Sequence, residues 1–137
     1  MSDLNKFILI VNTSRKRTGI VYCSNSFNTV LNKFELEIPD LNFIDCAELY
    51  TDSLTYSAKA LLDKVENESK NKTSIIFNIE TFIVSNSSGF LPQIAKLLTS
   101  REPSKPLFFF FYSKKIFNSF KDEFEAKELN RDNIIEL

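Results

Sequence analysis

Leu107-Phe-Phe-Phe-Phe-Tyr112 is the most apolar run in the chain. It offers no alternating polar face to water, so it predicts a central strand covered on both sides, as in a parallel sheet. The Pro103 to Pro106 segment before it is a loop. Ser113, just after it, is placed to cap a helix with Ile116, Phe117, Phe120 and Phe124 turned inward.

The same alternation extends in both directions. Upstream, Phe7-Ile-Leu-Ile-Val11 is also continuous and predicts a first strand, with Asn12 to Thr18 as the polar loop that follows. Gly19 to Cys23 predicts a second strand, and Ser24-Asn-Ser26 supplies cap candidates for a helix carrying Phe27, Val30, Leu31 and Phe34 on one stripe. After Pro39-Asp40, Leu41 to Asp45 predicts a third strand. Asp52 or Ser53 is the expected cap of a long helix with Leu54, Ala58, Leu61, Leu62 and Val65 inward and Lys59, Asp63, Lys64 and Glu66 toward water. Ser74 to Asn78 predicts a fourth strand, and Pro92 suits the first turn of a helix carrying Ile94, Leu97 and Leu98. Asn133 to Leu137 predicts a last edge strand. Strand and helix in turn imply an α/β fold: three αβα layers around a mostly parallel sheet of about five strands, in a single domain over residues 1–137.

Composition narrows the function classes. Seventeen basic and eighteen acidic residues leave a net charge of −1, so no bulk field draws the molecule to nucleic acid or membrane. Any anion must be held by a local patch. Histidine is absent, which excludes a Ser-His-Asp or Cys-His device and imidazole metal ligation. Cys23 and Cys46 stand apart and predict buried free thiols, and no metal site or cofactor is expected. No basic segment leads into a long apolar stretch, which predicts a cytoplasmic protein without a membrane partner.

In a parallel sheet the carboxyl ends of the strands are where ligands sit. On the predicted elements those ends carry Arg15, Lys16 and Arg17 after the first strand, then Asp45, Asn78 and Glu80, and finally Lys114 and Lys115. Together they form the candidate ligand rim, with Lys114 and Lys115 expected on the same rim as Arg15 to Arg17 where the first and fifth strands are neighbours or nearly so. A phosphate-binding loop needs glycines and a Lys-Ser/Thr pair so that backbone N–H groups can approach the phosphates. Val11-Asn-Thr-Ser-Arg-Lys-Arg-Thr18 has no glycine, and the whole chain has just Gly19 and Gly89.

Gly19 to Lys33, then Phe43-Ile-Asp-Cys46 and Ile75-Ile-Phe-Asn-Ile-Glu80, resemble the core of RecA-type ATPases of the KaiC kind. Ile79-Glu-Thr-Phe-Ile-Val-Ser-Asn-Ser-Ser-Gly-Phe90 is similar to small archaeal KaiC-related domains of uncharacterised function. The resemblance implies a P-loop NTPase-like fold in degenerate form, because the phosphate loop is missing and Phe77 or Asn78 stands at the Walker-B acidic position. It therefore implies no catalysis, but a regulatory or scaffolding module that works through protein partners or self-association. Phe77 to Phe90 also resembles STAS domains of the anti-sigma factor antagonist type. That resemblance implies a phosphoacceptor at Ser87, with Asn86 where that family usually has Asp. A third alternative is a phosphorylated ligand or nucleic acid held by the Arg15 to Arg17 loop.

Overall fold

Among the described residues five strands form one all-parallel sheet in the order β2-β3-β4-β1-β5, where β1 is Thr18–Tyr22, β2 Asn42–Asp45, β3 Ser74–Phe77, β4 Leu107–Phe111 and β5 Ile134–Glu136. The computed structural model describes residues 3–24, 27–49, 57–85, 89–126 and 131–137. The phenylalanine run lies at the centre, paired with β1 from Thr18↔Leu107 to Tyr22↔Phe111 and with β3 from Ser74↔Leu107 to Ile76↔Phe109. Phe108 to Phe111 have no exposed surface. Successive side chains alternate between the two faces, as a strand requires. Phe108 and Phe110 join one core layer; Phe109 and Phe111 join the other.

Helices cover both faces. On one lie α1 (Asp3–Thr13) and α2 (Phe27–Glu37), which contribute Leu4, Phe7, Ile8, Val11, Val30 and Phe34. The opposite layer is built from α3 (Cys46–Leu49), α4 (Ala58–Ser69), α5 (Ile79–Ser85), α6 (Phe90–Ser100) and α7 (Lys114–Ala126). The chain runs from β1 over the first face to the β2 edge, then steps back across the second face through β3 and β4 to β5. That reversal is what crossovers of one handedness demand when the covering face changes.

The first predicted strand is corrected. Phe7 to Val11 lies inside α1, where Leu4, Phe7, Ile8 and Val11 form a helical stripe against the sheet and Leu9 is turned outward, 51% exposed. A short apolar run is compatible with either element by hydropathy alone, and here the i, i+3, i+4, i+7 spacing decides for helix. The strands otherwise fall on the predicted runs, with β1 one residue ahead of Gly19 and ending at Tyr22.

Ser57 caps α4 by accepting from the Ala60 N–H at 3.1 Å, so the helix starts at Ala58. The expected caps Asp52 and Ser53, and Leu54, lie outside the described residues. Asp63 and Glu66, expected toward water, both meet Arg101, at 2.6 and 3.2 Å, and tie α4 to the end of α6. Cys23 and Cys46 are both buried, and neither is in a disulfide among the described residues. Among the described residues no helix is long and apolar enough to cross a membrane.

Candidate functional site

Neighbouring strands whose following helices leave to opposite faces open a crevice at their carboxyl ends. In this sheet β1 and β4 are such a pair, since α2 covers one face and α7 the other. Asp45, Asn78, Glu80 and Lys114 stand on this carboxyl edge, joined by Cys23, Tyr112, Ser113 and Glu136.

Glu80 enters the crevice from α5. Its Oε1 accepts from the Tyr112 N–H at 2.6 Å and its Oε2 from the Ser113 N–H at 2.8 Å. One carboxylate thus satisfies the two consecutive amides that leave β4 and open α7, a place where helix N–H groups otherwise attract an anion. The Ser113 hydroxyl completes the arrangement, its Oγ accepting from the Ile116 N–H at 3.3 Å. The expected cap of α7 is therefore present.

Asp45 and Asn78 are tied to one another. Asn78 takes a left-handed backbone conformation, φ 64°, which asparagine tolerates better than most residues. Its Nδ2 donates to Asp45 Oδ1 at 2.8 Å, and the Ala47 N–H donates to the same oxygen at 2.9 Å. Lys114 pairs with Glu136, and its Nζ lies 4.8 Å from the centre of the Tyr22 ring. Lys115 is exposed on the same edge. Tyr112 stacks edge-on against Phe27 at 5.3 Å. Burial, with the charges of Cys23, Glu80 and Asp45, pushes its phenol up to about 12. Cys46 is likewise raised to about 12, by burial and then by Asp45, which makes it a poor nucleophile.

Arg15, Lys16 and Arg17 do not belong to this rim. Because the segment before them is a helix, their loop leads into β1 and lies at the amino edge of the sheet, opposite Lys114 and Lys115. Arg15 Nε reaches Glu102 at 2.5 Å, and Arg17 Nη1 donates to the carbonyls of Pro103 and Ser104, each at 3.3 Å. The Arg17 carbonyl also accepts from the Leu107 N–H at 2.9 Å. These arginines fasten the entry of β1 to the entry of β4, so the single rim expected from the sequence divides between two ends of the molecule.

The place of the missing phosphate grip moves accordingly. A phosphate loop joins a strand to the helix after it. After β1 that connection is Cys23-Ser-Asn-Ser26, which contains neither glycine nor lysine. Ser87 and Asn86 lie outside the described residues. Sequence reasoning passed over Tyr112 and Glu136, although Tyr112 ends the very run that marks the central strand. No group of three or more His, Cys, Asp or Glu residues able to hold a metal ion is found among the described residues. No family model matches the chain, and no curated protein is significantly similar to it.

Proposed function

We propose that this chain is a non-catalytic regulatory or scaffolding module, a RecA/KaiC-like plan without its phosphate grip, which acts through protein contacts. The observation that carries the reading is the double hydrogen bond from the Tyr112 and Ser113 amides to Glu80. A protein carboxylate occupies the amides that leave β4, beside the crevice between β1 and β4. Asp45 is engaged with Asn78 and Ala47, so its Oδ1 serves the fold. At the carboxyl edge Tyr112 and Leu137 leave partly exposed surface, 39% and 37% respectively. Such surface suits a protein contact better than a phosphate.

Thermal unfolding tests the reading. The wild-type melting temperature should not rise when ATP with Mg²⁺ is raised into the millimolar range, because a ligand must bind the native state to raise it. A saturable rise overturns the proposal. The Glu80→Ala variant probes the carrying observation, since it uncovers both amides. Sulfate should stabilise that variant more than the wild type, and an equal response would remove Glu80 from this role.

A further inference from the structure

β2 forms one edge of the sheet, and a groove of about 400 Å³ runs along its outer side. The Asn42 N–H donates to the Thr73 carbonyl at 2.9 Å, so Asn42 and Ile44 direct their amides at β3. By the alternation of a parallel ladder, the N–H and C=O of Phe43 face the groove, as does the Asp45 N–H. Among the described residues no strand pairs with this side of β2, and the Phe43 side chain beside it is 42% exposed. An exposed strand edge with an apolar side chain is a template for another strand.

The ends of the groove differ in charge. At its carboxyl end stand Asp45 and Glu48; at its amino end Lys70 projects from the left-handed turn that closes α4, next to Glu68, and Lys64 of α4 also lines it. Two copies related by a twofold axis present the same edge to one another in antiparallel fashion, which brings each carboxyl end onto the partner's amino end. Glu48 then faces Lys70 of the second copy, twice over. With Phe43 on the axis, the two Phe43 residues exchange both backbone hydrogen bonds and their rings meet on one face, as directly opposed residues do in an antiparallel pair.

We propose that the chain forms a twofold dimer by antiparallel pairing of β2 with β2 of a second copy, giving one continuous sheet across both molecules. The purpose of that dimer rests on the protein-contact reading above, but its geometry does not.

Sedimentation of the intact chain over a wide concentration range tests it. The average mass should rise from monomer to dimer with concentration. Lys70→Glu and Glu48→Lys should each weaken the dimer roughly tenfold by setting like charges opposite one another, and the double exchange should recover most of the loss. Phe43→Lys, which places two cations at the axis, should abolish association. All four variants change exposed side chains, so at concentrations low enough for the wild type to be monomeric their circular-dichroism melts should match it and show that loss of the dimer is not loss of the fold. A monomer at every concentration, or a dimer indifferent to these substitutions, overturns the proposal. Neither result alters the nucleotide test, so the two readings fail separately.

Discussion

Gly19 shows how one residue serves packing where a nucleotide-binding plan suggests another use. A Cβ built there would stand 2.8 Å from Phe108 Cδ1 and 3.0 Å from Phe7 Cζ, whereas at Gly89 it would meet nothing within 4 Å. Both aromatic rings are buried, and they contact each other with centroids 5.9 Å apart. Gly19 is therefore the gap through which α1 seats Phe7 on the central strand. Gly19→Ala should lower stability by about 1–3 kcal/mol in urea unfolding, as overpacking of a tight core does. Phe7→Leu in that background should recover part of the loss; a neutral Gly19→Ala would show that the rings yield. Glu80 was legible as a carboxylate near a strand end, but its partners were not. The amides of Tyr112 and Ser113 lie more than thirty residues downstream, and only the β3 and β4 pairing brings them within reach.

At the scale of elements, the long helical stripes and the apolar strands were readable because each repeats its own period. The exception is α1, where Phe7 to Val11 satisfies hydropathy for a strand and the deciding residue, Leu4, lies outside the run. Including it reveals the helical stripe and leaves Leu9 outside. The two readings make opposite demands on adjacent side chains. In α1, Leu9→Lys changes a half-exposed residue and should leave the unfolding free energy within about 0.5 kcal/mol of wild type. Ile8→Lys drives a charge into the layer between α1 and the sheet, where Ile8 is 8% exposed, and should prevent stable folding or cost several kcal/mol. A strand covered on both faces would suffer from both substitutions alike, so comparable losses would overturn the helix. That one element also decides where Arg15 to Arg17 sit, since a loop that enters a strand and a loop that leaves one lie at opposite ends of a parallel sheet.

For the whole molecule, the layers and the parallel sheet followed from alternation, but the strand order did not, because pairing is a long-range choice that local pattern does not encode. The order has a titration consequence, since it gathers Cys23, Cys46 and Tyr112 near the carboxyl edge. Burial holds Cys23 above its usual range and pushes Cys46 and Tyr112 up to about 12. Each group is neutral when protonated, so the folded chain keeps protons that the unfolded chain releases from about pH 9 upward. Their contribution is fully present below the unfolded values and is lost as pH rises toward about 12. Urea unfolding midpoints should therefore be level from neutrality to about pH 9 and fall steeply at higher pH. Cys46→Ala should lower stability at pH 7 through the cavity it leaves, yet flatten the alkaline slope, and Tyr112→Phe should flatten it further. An alkaline slope unchanged in both variants would place the titrating groups elsewhere. Because Cys46 packs in the layer of α3 to α7 and Cys23 in that of α1 and α2, loss of either proton loosens a different face of the sheet. The two faces share every strand, so the sheet should unfold as one cooperative unit and both thiols should become reactive to a thiol reagent at the same urea concentration.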